Sequence, residues 1–142
     1  MTEPIIKFRG EYRFLSNFHP APMIVDGFLY PTSENAYQGL KYSTSTSIQQ
    51  QIADMAPGDA KRYAQDNPVE ITDAERLNNM FRVLTLKFIG HKNLMKKLLA
   101  TRDAELIEGN DWGDTFWGIC DGQGKNHLGK LLMTVRDKAA IR

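Results

Sequence analysis

The longest regular run of apolar positions in the chain passes through Leu77, Met80, Phe81, Leu84 and Phe88. Spacings of three and four residues put these side chains on one helical face. Thr72 and Glu75 stand ahead of the run as a capping box, and Gly90 closes it. Shorter runs of the same period predict two more helices, one carrying Leu94, Leu98 and Leu99, the other Leu128, Leu131, Leu132 and Val135. Pro57 suits a first helical turn and predicts a helix to Gln65. The Ser/Thr-rich segment 43–47 reads as a loop that caps a short helix through Met55. Pro31 ends whatever precedes it, and Thr32 or Ser33 caps a helix to about Tyr42.

Period-two patterning is confined to the front of the chain. Ile5–Phe8 and Met23–Tyr30 read as extended, and Asp26-Gly27 between apolar residues is a hairpin signal. The expected fold class is mainly α (α+β), a compact helical domain with a small N-terminal β element. No repeat and no change of composition marks a boundary, so residues 1–142 read as a single domain.

Composition narrows the function without naming it. Apolar residues make up 42% and charged residues 25%, which allows a core and an ordinary soluble surface. A formal net charge of +1 provides no broad basic face for nucleic acid, so any such contact has to be local. The lone cysteine, Cys120, excludes an intramolecular disulfide, and the three histidines lack ligand spacing. No metal site and no cofactor is expected. The N-terminus lacks a signal peptide's pattern and no run reaches membrane-span length, so the expected setting is cytoplasmic.

The segment PTSENAYQGLK carries the first candidate chemistry. On a helix, Glu34, Tyr37, Gln38 and Lys41 share one face, while Ala36 and Leu40 lie opposite as a weak apolar anchor. Such a helix is either exposed, with Tyr37 and Gln38 as surface residues, or its polar stripe lines an internal cavity. Glu34 and Lys41 also suit the two ends of a helix dipole.

The segment from Gly109 to Gly129 holds six glycines and both tryptophans. Trp112 reads as a core plug. Trp117 reads either as core or as the wall of a pocket that stacks a flat ligand. Asp111 and Asp114 flank the rings, Gly113 and Gly118 permit close approach, and the loop amides are candidates for a phosphate cradle. No Walker sequence is present, since Gly124-Lys125 is followed by Asn126. Near the front, FRGEYRFLSNFHP places Phe14 and Phe18 in the expected core. Arg9 stays open between packing and phosphate binding.

Together these pieces resemble the NADAR family, also called YbiA-like. The matching segments, in order, are FLSNF at 14–18, DGFLYPTSENAYQGLK at 26–41 and APGDAKR at 56–62. Then come the helix from Met80 to Phe88 with its Lys87-Phe88, LLATRDAELIEGN, DTFWG and KNHLGKLLMTVR. Within this resemblance, Glu34 matches the acidic residue of the helix start, with Gln38 and Lys41 at the polar positions after it. Asp114, Trp117 and Gly118 match an Asp-x-x-Trp-Gly motif, and Asn126, Gly129 and Arg136 match the ending. Asn35 stands where many members have histidine, and Ile119-Cys120 where many continue with small or polar residues.

The resemblance implies cleavage of N-glycosidic bonds in ribosylated or ADP-ribosylated compounds. One branch hydrolyses phosphoribosyl-amino-pyrimidine intermediates of riboflavin biosynthesis, and another removes ADP-ribose from modified guanine in nucleic acid. Cleavage builds oxocarbenium character on the sugar, which a carboxylate can stabilise. On that basis the expected catalytic residues are Glu34, Lys41 and Asp114. Glu34 acts as stabiliser or base and Asp114 as a second carboxylate. Lys41 either donates to the leaving base or attacks C1′ as a neutral amine. Expected substrate-binding residues are Arg9, Asn17, Gln38, Trp117, Gly118 and Asn126. ADP-ribosylated guanine, in a nucleotide or in DNA, is the leading substrate. The rivals are the phosphoribosylated pyrimidine, a non-catalytic ADP-ribose-binding module, and a plain helical interaction protein.

Overall fold

A computed structural model describes residues 2–141. Two compact units divide the chain. One runs from Asn17 to Gly90; the other joins the residues up to Ser16 with those from His91 onward.

The unit from Asn17 to Gly90 opens with a hairpin of β1 (Met23–Val25) and β2 (Phe28–Tyr30), paired antiparallel in the register Met23 to Tyr30. Asp26 and Gly27 both have positive φ, 51° and 89°, as the tight hairpin turn requires. Met23, Val25 and Tyr30 point inward, whereas Ile24 and Leu29 face each other on the open side. Four helices follow: α1 (Ser33–Leu40), α2 (Thr46–Ala53), α3 (Pro57–Asp66) and α4 (Asp73–Gly90). Side chains cap three of them as the sequence predicts, and α3 instead starts on Pro57. Thr32 accepts from the Asn35 amide, and Ser45 from the Ile48 amide. Thr72 and Glu75 exchange bonds in a capping box ahead of α4.

The first helix lies at the centre of this unit. It packs against α2, α3, α4 and both strands. Every residue from Ser33 to Gly39 is buried. The exposed alternative for this helix is therefore excluded, and Tyr37 and Gln38 are not surface residues. Its apolar anchor is not an Ala36–Leu40 stripe, because Leu40 is only half-buried. Close packing replaces it. Tyr30 lies so near Gly39 that a Cβ there would sit 2.4 Å from the phenol oxygen. Gln49 donates to the Gly39 carbonyl.

The other unit holds a short 3-10 helix (Gly10–Leu15), α5 (Lys92–Ala100), α6 (His127–Ala140) and two parallel two-residue strands, β3 (Gly109–Asn110) and β4 (Ile119–Cys120). Ile5 forms an isolated bridge with Leu106 and the Ile6 carbonyl accepts from the Gly109 amide, so the extended 5–8 segment is held at its start without forming a strand. Phe14, Leu94, Leu98, Leu106, Leu128 and Leu132 are buried here, while Leu131 is half-buried and Leu99 is exposed. Among the described residues no helix is long and apolar enough to cross a membrane.

Candidate functional site

The α1 stripe forms as the spacing predicts. The Gln38 amide nitrogen donates to Glu34 Oε2 at 2.6 Å, one helical turn apart. Lys41 Nζ lies 4.9 Å from the centre of the Tyr37 ring, one turn further along the same face. Glu34 is only 8% exposed and Gln38 5%. Burial lowers the Lys41 pKa from its ordinary value; the Glu34 charge pulls it back up and Arg76 pushes it further down. An acid, an amide, a phenol and an amine therefore share one sheltered stripe, and the acid and amine sense each other's charge.

Asparagines hold that stripe in place. Asn17 accepts from the Ser33 hydroxyl at 2.8 Å, its carbonyl accepts from the Glu34 amide, and its own amide approaches the Met80 sulfur. These bonds clip the first turn of α1. Asn35 donates to the carbonyls of Ile52 and Met55, both at 2.9 Å, and so bolts α1 to the end of α2. A neutral histidine at this position would have a single ring N–H to offer two carbonyls.

Lys87 is a residue that sequence reasoning passed over as chemistry. It is fully buried on α4, on the same face as Met80, Val83, Leu84 and Phe88. Its ammonium lies 5.2 Å from the Phe88 ring centre. Burial brings its pKa down to about 7. The signal was legible: position 87 falls seven residues after Met80, on the apolar stripe, where a lysine is out of keeping with its neighbours.

The remaining predicted residues lie in the other unit. Asp114 spends Oδ1 on the backbone amides of Phe116 and Trp117, at 3.1 and 2.9 Å. Asn110 clamps the loop tip by donating to the Asp114 carbonyl and accepting from its amide. Trp117 is half-buried and meets Phe116 edge-on at 4.8 Å. Trp112 corrects the expectation of a core plug: it is 54% exposed, because the clamped turn carries it on the outside. At Gly118 a Cβ would collide with the Glu108 carbonyl, so this glycine is required by close strand approach. Asn126, buried with φ 53°, accepts from the Glu108 amide and donates to the Leu106 carbonyl. Arg136 donates to Thr101 and to the Ala104 carbonyl. Arg9 is exposed just before the 3-10 helix.

The expected phosphate cradle meets competition from the protein itself. The amides of Phe116 and Trp117 are taken by Asp114, and those of Ile119, Cys120, Lys125, Asn126, His127 and Leu128 by backbone carbonyls. These bonds shape the loop and leave α6 capped by the loop's own carbonyls.

Comparison with known proteins agrees with this architecture. The NADAR domain family matches residues 7–140. The N-glycosidase YbiA of Escherichia coli is 34% identical over 99% of this chain and 92% of its own length. An N-glycosidase of Nostoc punctiforme is 31% identical over 97% and 92%. A riboflavin biosynthesis protein of Vibrio vulnificus is 34% identical over 97% of this chain, which corresponds to 39% of that protein. The NMR structure of E. coli YbiA superimposes with a TM-score of 0.83 over 99% of this chain and 88% of that one.

Proposed function

The chain belongs to the NADAR domain family and is a hydrolase of N-glycosyl bonds, and we propose that it cleaves the bond between ribose C1′ and guanine nitrogen in ADP-ribosylated guanine. The observation that supports C1′–N cleavage at this site is the buried Glu34, hydrogen-bonded by Gln38 and within electrostatic reach of a half-buried lysine.

In this reaction the C1′–N bond breaks with its electron pair leaving on nitrogen, and positive charge grows on C1′ and the ring oxygen. Glu34, ionised and held by the Gln38 amide, stabilises that charge. Being buried, it does so with little screening. Water then attacks C1′, and Glu34 accepts its proton. Lys41 has two routes. As an ammonium it donates to the leaving nitrogen. As a neutral amine it attacks C1′ as the C1′–N bond breaks and one amine proton passes to the leaving nitrogen; the ring then opens to a Schiff base, and water hydrolyses that adduct to release the sugar and regenerate the amine. Burial of Lys41 favours the second route, because it enlarges the neutral fraction.

Support for a second substrate comes from the Vibrio relative named for riboflavin biosynthesis. A phosphoribosylated amino-pyrimidine presents the same C1′–N bond, so it is the alternative substrate. A panel of ADP-ribosyl-guanosine, ADP-ribosylated DNA and phosphoribosyl-amino-pyrimidine, with base release read by chromatography, tests the assignment. Glu34→Gln and Lys41→Ala are expected to lose at least about a hundredfold in turnover while remaining folded. Near-normal rates in both variants would remove the stripe from the chemistry. Borohydride trapping separates the lysine routes: turnover without an adduct leaves only proton donation.

A further inference from the structure

Gln38 uses only half of its carboxamide. Its nitrogen donates to Glu34, and the carboxylate can only accept, so the orientation of the amide is fixed by chemistry. Its oxygen, Oε1, therefore points away from Glu34, and it is buried without a hydrogen-bond partner. The residue is 5% exposed. A buried acceptor left unmet is costly, and folded proteins keep few of them. This one belongs to the side chain that touches the proposed catalytic acid.

We propose that Gln38 Oε1 is the acceptor for the ribose 2′-hydroxyl of the substrate. The inference rests on the assignment of Glu34 to C1′. The two polar ends of one carboxamide are adjacent, so a donor bound to Oε1 lies beside the group that Glu34 Oε2 addresses. On a ribosyl unit, the hydroxyl on the carbon next to C1′ is the 2′-hydroxyl; the ring oxygen on the other side can only accept. Gln38 is then a bifunctional positioning residue that orients the acid with its nitrogen and the sugar with its oxygen. A hydrogen bond to the 2-hydroxyl also strengthens as charge builds on the sugar, which ties recognition to rate. Such a site discriminates ribosyl from 2-deoxyribosyl groups at the bond being cut.

The test uses ribose 5-phosphate and 2-deoxyribose 5-phosphate, which carry the sugar common to both candidate substrates. Binding to the whole chain is followed by NMR titration. Ribose 5-phosphate should bind the wild-type protein about tenfold or more tightly than the deoxy sugar. In Gln38→Leu that preference should fall below about threefold. The side-chain carbonyl carbon of Gln38 in the wild-type protein should shift with ribose 5-phosphate and stay still with the deoxy sugar, a readout that needs no variant to fold. Equal affinities in the wild-type protein, a silent Gln38 carbonyl, no binding of either sugar, or an undiminished preference in Gln38→Leu would each overturn the proposal. Turnover is scored separately. A Gln38-dependent ribose preference without cleavage of any ribosylated compound would leave this site standing and remove the catalytic reading.

Discussion

Replacing Lys87 with methionine should change how stability depends on pH, and the size of the change follows from burial. An ordinary lysine titrates at 10.5, whereas Lys87 in the folded chain titrates at about 7. Below pH 7 the ammonium is present in both folded and unfolded chains, so the penalty of burying it is fully expressed. Between about 7 and 10.5 the unfolded chain holds the proton and the folded chain does not. Unfolding then takes up a proton and becomes harder as pH rises. The gap between the two pKa values sets a ceiling of about 5 kcal/mol, at about 1.4 kcal/mol per unit. Most of the accessible gain lies between pH 7 and 9, where wild type should become more stable by about 2 kcal/mol relative to Lys87→Met. From pH 6 to 7 the relative gain should be only about 0.4 kcal/mol. Urea unfolding followed by circular dichroism at pH 6, 7, 8 and 9, with both proteins in the same buffers, measures the difference. Taking the difference cancels the titration of other groups. A difference that is flat, or that falls with pH, would refute a largely neutral Lys87 in the folded state at alkaline pH.

Other substitutions separate loop-building from chemistry. Asp114→Asn keeps an oxygen that can accept from the Phe116 and Trp117 amides. It should retain near-normal turnover and melting temperature, whereas Asp114→Ala should lose about 1–3 kcal/mol of stability by thermal melt. A hundredfold loss of rate in a fully stable Asp114→Asn would instead make it a second working carboxylate. Asn35→Ala removes the side-chain donor of the Ile52 and Met55 carbonyls, of which Ile52 keeps the Met55 amide, and should cost about 1–3 kcal/mol; a loss under about 0.5 kcal/mol in urea titration would show that α1 is held by other means. Gly39→Ala drives a methyl into the buried Tyr30 ring. It should destabilise by about 1–3 kcal/mol despite alanine's better helix propensity, and an unchanged denaturation midpoint would contradict that packing.

Much of the fold was legible because local signals and tertiary structure agree. The hairpin at Asp26-Gly27, the caps at Thr32, Ser45 and Thr72, and the helix closed by Gly90 all occur where residue type demands. What stayed open at the first helix has a physical cause: side-chain pattern reports which face of a helix is apolar, not whether the other face is covered. The first helix has a polar stripe and is buried from Ser33 to Gly39. Amphipathic reasoning assumes that polar faces meet water, and at Glu34 and Gln38 the polar groups meet each other instead. Trp112 fails in the opposite sense. Aromatic bulk argues for the interior, but the Asn110–Asp114 clamp fixes the turn that carries it outward. That clamp consists of side chain to backbone bonds, which hydropathy does not register.

A matching motif also mixes two kinds of residue that only geometry can sort. Asn126 and Arg136 direct their bonds to backbone carbonyls, amides and a neighbouring hydroxyl, and Asp114 Oδ1 serves two backbone amides. Asn17 clips α1 with its side chain and its carbonyl. Removing any of these leaves backbone or capping groups unmet, so loss of activity on mutation would not identify a chemical role. Glu34 and Gln38 bond to each other through their side chains, and Gln38 keeps a buried oxygen free to accept, much as Arg136 keeps its Nε free to donate. The unmet Gln38 oxygen is a cost to folding. That cost is offset when a donor reaches the oxygen, which is the ground on which the chemistry is proposed for α1 rather than for the asparagines that hold it.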